Sequence, residues 1–176
     1  MNVILSPFEG CFLLKPQVIE DERGYFFESY NQEKFNKSTG LSVSFVQDNQ
    51  SFSSYGVIRG LHSQVGEFAQ AKLVRVLQGE VLDVIVDARE GSATYGKSYS
   101  VQLSAENKLQ LFVPRGFYHG FAVLSETAEF FYKCDNFYNR EAERGIHYTS
   151  LGIDWIIEKE DRIITEKDLT LPLFTN

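Results

Sequence analysis

Long apolar runs are missing from this chain. No stretch approaches the roughly 20 consecutive apolar residues that a membrane span needs, so no transmembrane helix is expected. Met1 to Gly10 carry neither a basic lead nor an extended apolar segment, which argues against a secretion signal. Cysteine is scarce. Cys11 and Cys134 lie far apart, each in an apolar setting, and read as buried thiols rather than a bridge. Nothing else points to an oxidising compartment, so a cytoplasmic location is the default expectation. Clusters of basic residues are absent as well. Lys and Arg number 17 against 24 Asp and Glu, a net charge of −7, and without a basic run a general nucleic-acid surface is excluded. An anionic ligand needs only a few local cations, so any phosphate site here must be small and built from specific Arg and Lys side chains. Only four prolines occur, with no low-complexity tract, which argues against a long disordered linker.

What is present is a chain of 176 residues, 43% hydrophobic, long enough to bury a core without staples. It is expected to form one domain over 1–176. A first strand is predicted over Cys11 to Lys15, stopped by Pro16. Asp21-Glu22-Arg23-Gly24 is turn chemistry leading into an aromatic strand, Tyr25 to Tyr30. Asn31 can cap a short helix over Gln32 to Asn36, with Gly40 ending it. Further strands are predicted over 43–48, 73–77, 81–87, 99–103, 110–113, 120–124 and 128–134, punctuated by Gly79, Gly91, Gly96 and Gly116. Many short strands with glycine turns and almost no helical periodicity imply an antiparallel sandwich or barrel. The charge run Glu158 to Arg162 reads as a solvated face or short helix.

Unusual chemistry concentrates between Gln47 and Lys72. Gln47, Asn49, Arg59, His62, Gln64 and Lys72 are interleaved there with turn residues and short apolar pieces. Only three histidines occur, and histidine is the side chain whose ordinary pKa suits proton transfer near neutrality. His62 follows Arg59-Gly60-Leu61, His119 follows Pro114-Arg115-Gly116-Phe117-Tyr118, and His147 reads as a surface or edge residue. The Pro-x-Gly-x-x-His pattern at 114–119 resembles the second metal motif of the cupin barrels. The first such motif wants His-x-His, and Gln64 stands where its second histidine belongs. Two imidazoles are fewer than a stable Zn or Fe site uses, so no metal is expected.

A set of ordered motifs spans nearly the whole chain: Asp21-Glu22-Arg23-Gly24-Tyr25-Phe26-Phe27-Glu28-Ser29, Phe45-Val46-Gln47-Asp48-Asn49, Arg59-Gly60-Leu61-His62, Ala71-Lys72-Leu73-Val74-Arg75, Leu103-Ser104-Ala105-Glu106-Asn107, Pro114-x-Gly116-x-x-His119-Gly120-Phe121, Tyr132-Lys133 and Lys167-Asp168. In these the chain resembles the dTDP-4-dehydrorhamnose 3,5-epimerases, cupin-type dimers of nucleotide-sugar metabolism. The resemblance implies an all-β, cupin-type antiparallel barrel (jelly roll) with a few short helices. It implies a dTDP-4-keto sugar as substrate and no cofactor. The ketone acidifies the protons on C3 and C5, so epimerisation needs a base on one face, an acid on the other, and a group facing the enolate oxygen.

By the same resemblance His62 corresponds to the base, Asp168 to the carboxylate that orients it, Tyr132 to the acid, and Lys72 to the cation facing the enolate. His119 and Arg59 correspond to the pocket for sugar and diphosphate. Gln47, Asn49, Glu28 and Tyr138 correspond to positions near the nucleotide, with Glu143 and Lys167 completing that set. Arg23 and Phe26 correspond to residues supplied by a partner subunit, so the site would be built across a homodimer. Composition alone reads these differently: Tyr132 as a core aromatic, Lys72 as a side chain snorkelling to the surface, Asp168 as a solvated cap, and Arg23 as a turn residue. Asp83 and Asp87, on a neighbouring predicted strand, compete as partners for His62. The chain departs from the family around the pocket: Ser63 follows His62 where an aromatic is usual, the loop Val65 to Ala69 lacks prolines, His147-Tyr148 replaces an aromatic, and Ile156 follows Trp155 in place of proline. Rival readings are an epimerase of C3 or C5 alone, a 3,4-ketoisomerase, and a sugar-binding cupin without catalysis.

Overall fold

Alternating apolar and polar residues set the architecture, since in a strand they deliver one face to a core and the other to a second layer. The computed structural model describes residues 1–175. Along the chain run β1 (Asn2–Leu5), β2 (Phe12–Lys15), β3 (Ile19–Asp21), β4 (Gly24–Phe26), α1 (Gln32–Thr39), β5 (Gln47–Ser54), β6 (Ile58–Gln64), β7 (Lys72–Gln78), β8 (Glu80–Asp87), β9 (Ser98–Ser104), β10 (Gln110–Val113), β11 (Phe117–Val123), β12 (Thr127–Cys134), β13 (Glu143–Gly145) and α2 (Glu166–Leu169). One sheet has the order β1-β2-β10-β7-β12-β5, the other β13-β6-β11-β8-β9, and β3 and β4 form a separate hairpin. All strand pairs within the sheets are antiparallel. Two facing antiparallel sheets with these crossovers make a jelly roll.

Side-chain parity assigns each strand to its layers. On β8, Val81 and Ile85 enter the core between the sheets with Val74, Val76, Phe121 and Phe130. The intervening Leu82, Val84 and Val86 face outward and pack under the C-terminal segment around Trp155 and Ile157. That is why β8 is buried along most of its length. On the opposite outer face, Phe35 of α1 joins Leu14, Leu73 and Phe112. The helix is delimited as the sequence predicts at both caps: the Asn31 side chain accepts the Lys34 N–H, and Gly40 takes a left-handed φ of 73°. It extends to Thr39, beyond the Asn36 expected.

Three predicted strands differ, and the one expected over 120–124 begins at Phe117 and so carries His119. The ladder of β5 starts at Gln47, not Val43, because Val43 and Phe45 turn aside to pack with Phe35 and Phe112. The strand expected over Tyr25 to Tyr30 ends at Phe26. Phe27 lies under the Arg75 guanidinium, 5.4 Å from it, and Tyr30 packs on Phe35 and Phe45. Cys11 and Cys134 are buried free thiols, as expected.

Candidate active site

A cavity of about 400 Å³ opens between the sheets, and polar side chains from both line it. Arg59 and His62 come from β6, His119 from β11, Lys72 from β7, Tyr132 from β12, and Asp168 from α2. These six are the sequence-predicted residues that the fold brings together, with Asn49 and Lys167 at the edge of the same cavity.

A local irregularity makes this convergence possible. His119 pairs with His62, but Phe121 pairs with Arg59, so two steps on β11 oppose three on β6. Strict alternation would put Arg59 and His62 on opposite faces. The bulge re-aims the strand, so both enter the cavity while Leu61 is buried in the outer cluster. It requires glycine at position 60. Its φ is +114°, and a Cβ there would come within 2.7 Å of Gly120 Cα and 2.8 Å of the His119 carbonyl.

Two histidine–aspartate pairs lie side by side, their imidazoles on the paired strands β6 and β11. His62 Nε2 is 2.7 Å from Asp168 Oδ1. The other carboxylate oxygen accepts the Gly60 N–H at 3.5 Å, and Thr165, capping α2, accepts the Asp168 N–H. Burial works against the Asp168 charge, but the hydrogen bond from His62, with lesser help from Gly60 and Thr165, holds its carboxyl below the usual carboxylate range. His119 Nε2 is 2.9 Å from Asp83 Oδ2, and that pair is buried. Asp83 is therefore the partner of His119 and not of His62. Asp87 is consumed by Arg89, Ser92 and Thr94. The competing partners raised by the sequence are both set aside, and the pairing of Asp83 with His119 was not anticipated.

The facing wall is chemically different. Lys72 Nζ sits 5.6 Å from the centre of the Tyr132 ring. Burial pushes the Tyr132 hydroxyl up to about 12, so it is a protonated phenol at neutral pH. The ammonium of Lys72 is set deep among protein atoms, and desolvation lowers its pKa from the ordinary value, opposed by Cys134, Asp83 and Glu143. Cys134 pairs with Lys72 across the ladder and accepts the Asn49 amide at 3.6 Å. Burial pushes its own thiol up to about 11, which leaves it un-ionised and inert. Tyr132 is thus both what composition suggested, packed on core residues including Phe130, and part of the cavity wall.

Around the rim, Arg59 is steadied by Ser53 at 3.0 Å and the Phe52 carbonyl. Gln47 reaches Asn49 at 3.1 Å and accepts the Tyr138 N–H at 3.0 Å. The Tyr138 hydroxyl donates to Glu143 at 2.8 Å, and Lys167 pairs with the other oxygen of Glu143. Gln47, Tyr138 and Glu143 are tied to the cavity only through Asn49 and Lys167, and Arg23, Phe26 and Glu28 do not line it at all. Arg23 is paired with Asp21 in its own exposed hairpin, Phe26 is 71% exposed, and Glu28 pairs with Lys34 at 2.9 Å. His147 is a half-buried residue bonded to Thr149 at 2.7 Å, outside the cavity.

A jelly roll whose cleft sets an imidazole–carboxylate pair against a phenol and an ammonium defines a cupin-type enzyme of proton transfer. The family model for dTDP-4-dehydrorhamnose 3,5-epimerase matches residues 6–176, and the chain belongs to that family. A curated relative, dTDP-4-dehydrorhamnose 3,5-epimerase of Shigella flexneri, is 50% identical over 171 residues, covering 96% of this chain and 93% of its own. The crystal structure of the Elizabethkingia anophelis dTDP-4-dehydrorhamnose 3,5-epimerase is 58% identical with a TM-score of 0.95, covering 99% of this chain and 96% of that one. The dTDP-6-deoxy-D-glucose-3,5-epimerase of Legionella pneumophila, solved with dTDP-4-keto-L-rhamnose, is 44% identical with a TM-score of 0.93, covering 98% and 92%.

Proposed function

We infer that this chain is a dTDP-4-dehydrorhamnose 3,5-epimerase, converting dTDP-4-dehydro-6-deoxy-D-glucose to dTDP-4-dehydro-L-rhamnose. The observation that carries the reading is the placement of the His62–Asp168 pair opposite Tyr132 and Lys72 across one cavity. With the sugar ring between the sheets, His62 removes the proton from C3 or C5. Asp168 holds the imidazole in place and favours the imidazolium that forms. The electron pair left on carbon moves into the C4 carbonyl, giving an enolate whose oxygen faces the Lys72 ammonium. Tyr132, kept as a phenol by its burial, returns a proton from the opposite face, and the carbon is inverted. His62 then gives up its proton and Tyr132 regains one by exchange with solvent, and repetition at the second carbon completes the reaction.

Arg59 and His119 hold the sugar and diphosphate, while Gln47, Asn49, Tyr138, Glu143, Lys167 and Glu28 serve the nucleotide. Two chains form a homodimer in which Arg23 and Phe26 reach the partner's cavity. The exposure of Phe26 on an outlying hairpin supports this arrangement. A cytoplasmic location suits a nucleotide-sugar substrate, and no helix among the described residues is long and apolar enough to cross a membrane.

The test is proton NMR in heavy water with dTDP-4-keto-6-deoxyglucose. Loss of both the C3 and C5 signals, with a product that a reductase converts to dTDP-L-rhamnose, is the expected result. Loss of one signal alone would make the chain a mono-epimerase. No exchange at either carbon would overturn the reading.

A further inference from the structure

Gln64 stands in the slot where metal-binding cupin motifs carry a histidine, two residues beyond His62. It is 6% exposed, and the reaction derived above gives it no task. Its carbonyl oxygen accepts the Asn139 N–H at 3.0 Å. One residue earlier, the Tyr138 N–H is caught at 3.0 Å by the carbonyl of Gln47. Gln47 belongs to one sheet and Gln64 to the other, so successive amides of one loop are fastened to opposite walls of the barrel. The start of that loop is tied down as well: Asp135 accepts the Ala71 N–H, Gln70 donates to the Asn136 carbonyl, and Asn136 donates to the Glu67 carbonyl. The loop carries two exposed aromatics, Phe137 and Tyr138.

We propose that Gln64 is a positioning residue that fixes the 136–139 loop relative to the His62 base, and so sets the span between the nucleotide subsite and the reacting sugar carbons. Because β6 carries both Gln64 and His62, the hydrogen bond to Asn139 transmits the position of the strand directly to the loop. Residue 64 must supply an acceptor at that depth. It must also be neutral, because it pairs across the ladder with Glu143, and a carboxylate at 64 would face that carboxylate directly. Glutamine meets both demands. Histidine at this position would serve a metal, and here the slot serves the loop. The inference rests on the nucleotide reading of Tyr138 and Glu143 given above.

The experiment compares wild type with Gln64→Met, which keeps the volume and loses the acceptor, and Gln64→Asn, which keeps an amide one methylene too short to reach. dTDP affinity is read by calorimetry, kcat and KM by coupled turnover, and loop mobility by amide hydrogen exchange. Both variants should weaken dTDP binding and raise KM roughly tenfold, with kcat within about twofold. Exchange at Tyr138 and Asn139 should accelerate while β6 and β12 stay protected, a local signature that general destabilisation would not give. Wild-type dTDP affinity in both variants, a loss confined to kcat, or loop amides protected as in wild type overturns the proposal. If wild type itself fails to bind dTDP, the nucleotide reading falls, and the exchange data still decide whether Gln64 anchors the loop.

Discussion

The two histidine–aspartate pairs use the same groups on adjacent strands, yet their surroundings differ at every point that matters for proton transfer. In the His62 pair the imidazole side chain keeps 31% of its surface, open to the cavity, while Asp168 arrives from the C-terminal helix with both oxygens engaged. In the His119 pair the side chains are far more buried, at 6% and 0%, although His119 still presents an edge to the cavity. Asp83 there comes from the middle of β8, and its Oδ1 has no hydrogen-bond partner among the described residues. A base has to meet its substrate and exchange protons with it; a support has to hold still. The open, doubly satisfied pair suits the first task, proposed for His62, and the more buried pair, stacked beside Phe130, suits the second, proposed for His119. Identity of residue type therefore says less about role than access does.

Three substitutions, one of them read in two ways, sharpen this contrast. Tyr132→Phe removes the proposed proton donor on the wall facing both pairs. Net epimerisation should fall by about 10²–10⁴, while deuterium still enters from the His62 side. That outcome is read by comparing exchange with product formation. Asp168→Asn should cost roughly 10²-fold, mainly in kcat, because the imidazole loses its orienting charge without losing the cavity. Asp83→Asn should cost less, about tenfold in kcat/KM, with the loss in KM, because the task proposed for His119 is to hold the substrate and not to react. Equal kcat losses in the two asparagine variants would erase the distinction drawn between the pairs. The smallest effect is on stability. A carboxyl held below its unfolded value of about 3.9 contributes stability at neutral pH, and that contribution is lost as pH falls through the lower folded value. Asp168→Asn should accordingly flatten the acid limb of Tm against pH below about pH 4, leaving the neutral range nearly parallel to wild type.

Much of the fold could be read in advance where burial writes a clear pattern. β7, β8, β9, β10 and β12 fall within a residue or two of their predicted spans, because their apolar residues commit to one layer or both. β6 was not anticipated as a strand. Its sequence, Ile58-Arg59-Gly60-Leu61-His62-Ser63-Gln64, is polar because it faces a cavity and irregular because it bulges at Gly60. β5 was placed too early, since Val43 and Phe45 carry the apolar signal while the ladder itself runs through Gln47 to Ser54. For the site, motif resemblance supplied His62, Lys72, His119, Tyr132 and Asp168, and the fold gathers them in one cavity. It offered no way to choose Asp83 as the partner of His119, because that contact depends on the register of β8 against β11, where Ile85 opposes His119 and Asp83 opposes Phe121. The task of Gln64 was equally out of reach, as it depends on a loop 75 residues away.

The most direct test of the central claim is C3 and C5 proton exchange by His62→Ala in heavy water, measured beside its dTDP affinity. No exchange at either carbon above background is expected, with nucleotide binding close to wild type. Exchange at the wild-type rate would contradict that claim and move the base to another group on the cavity wall.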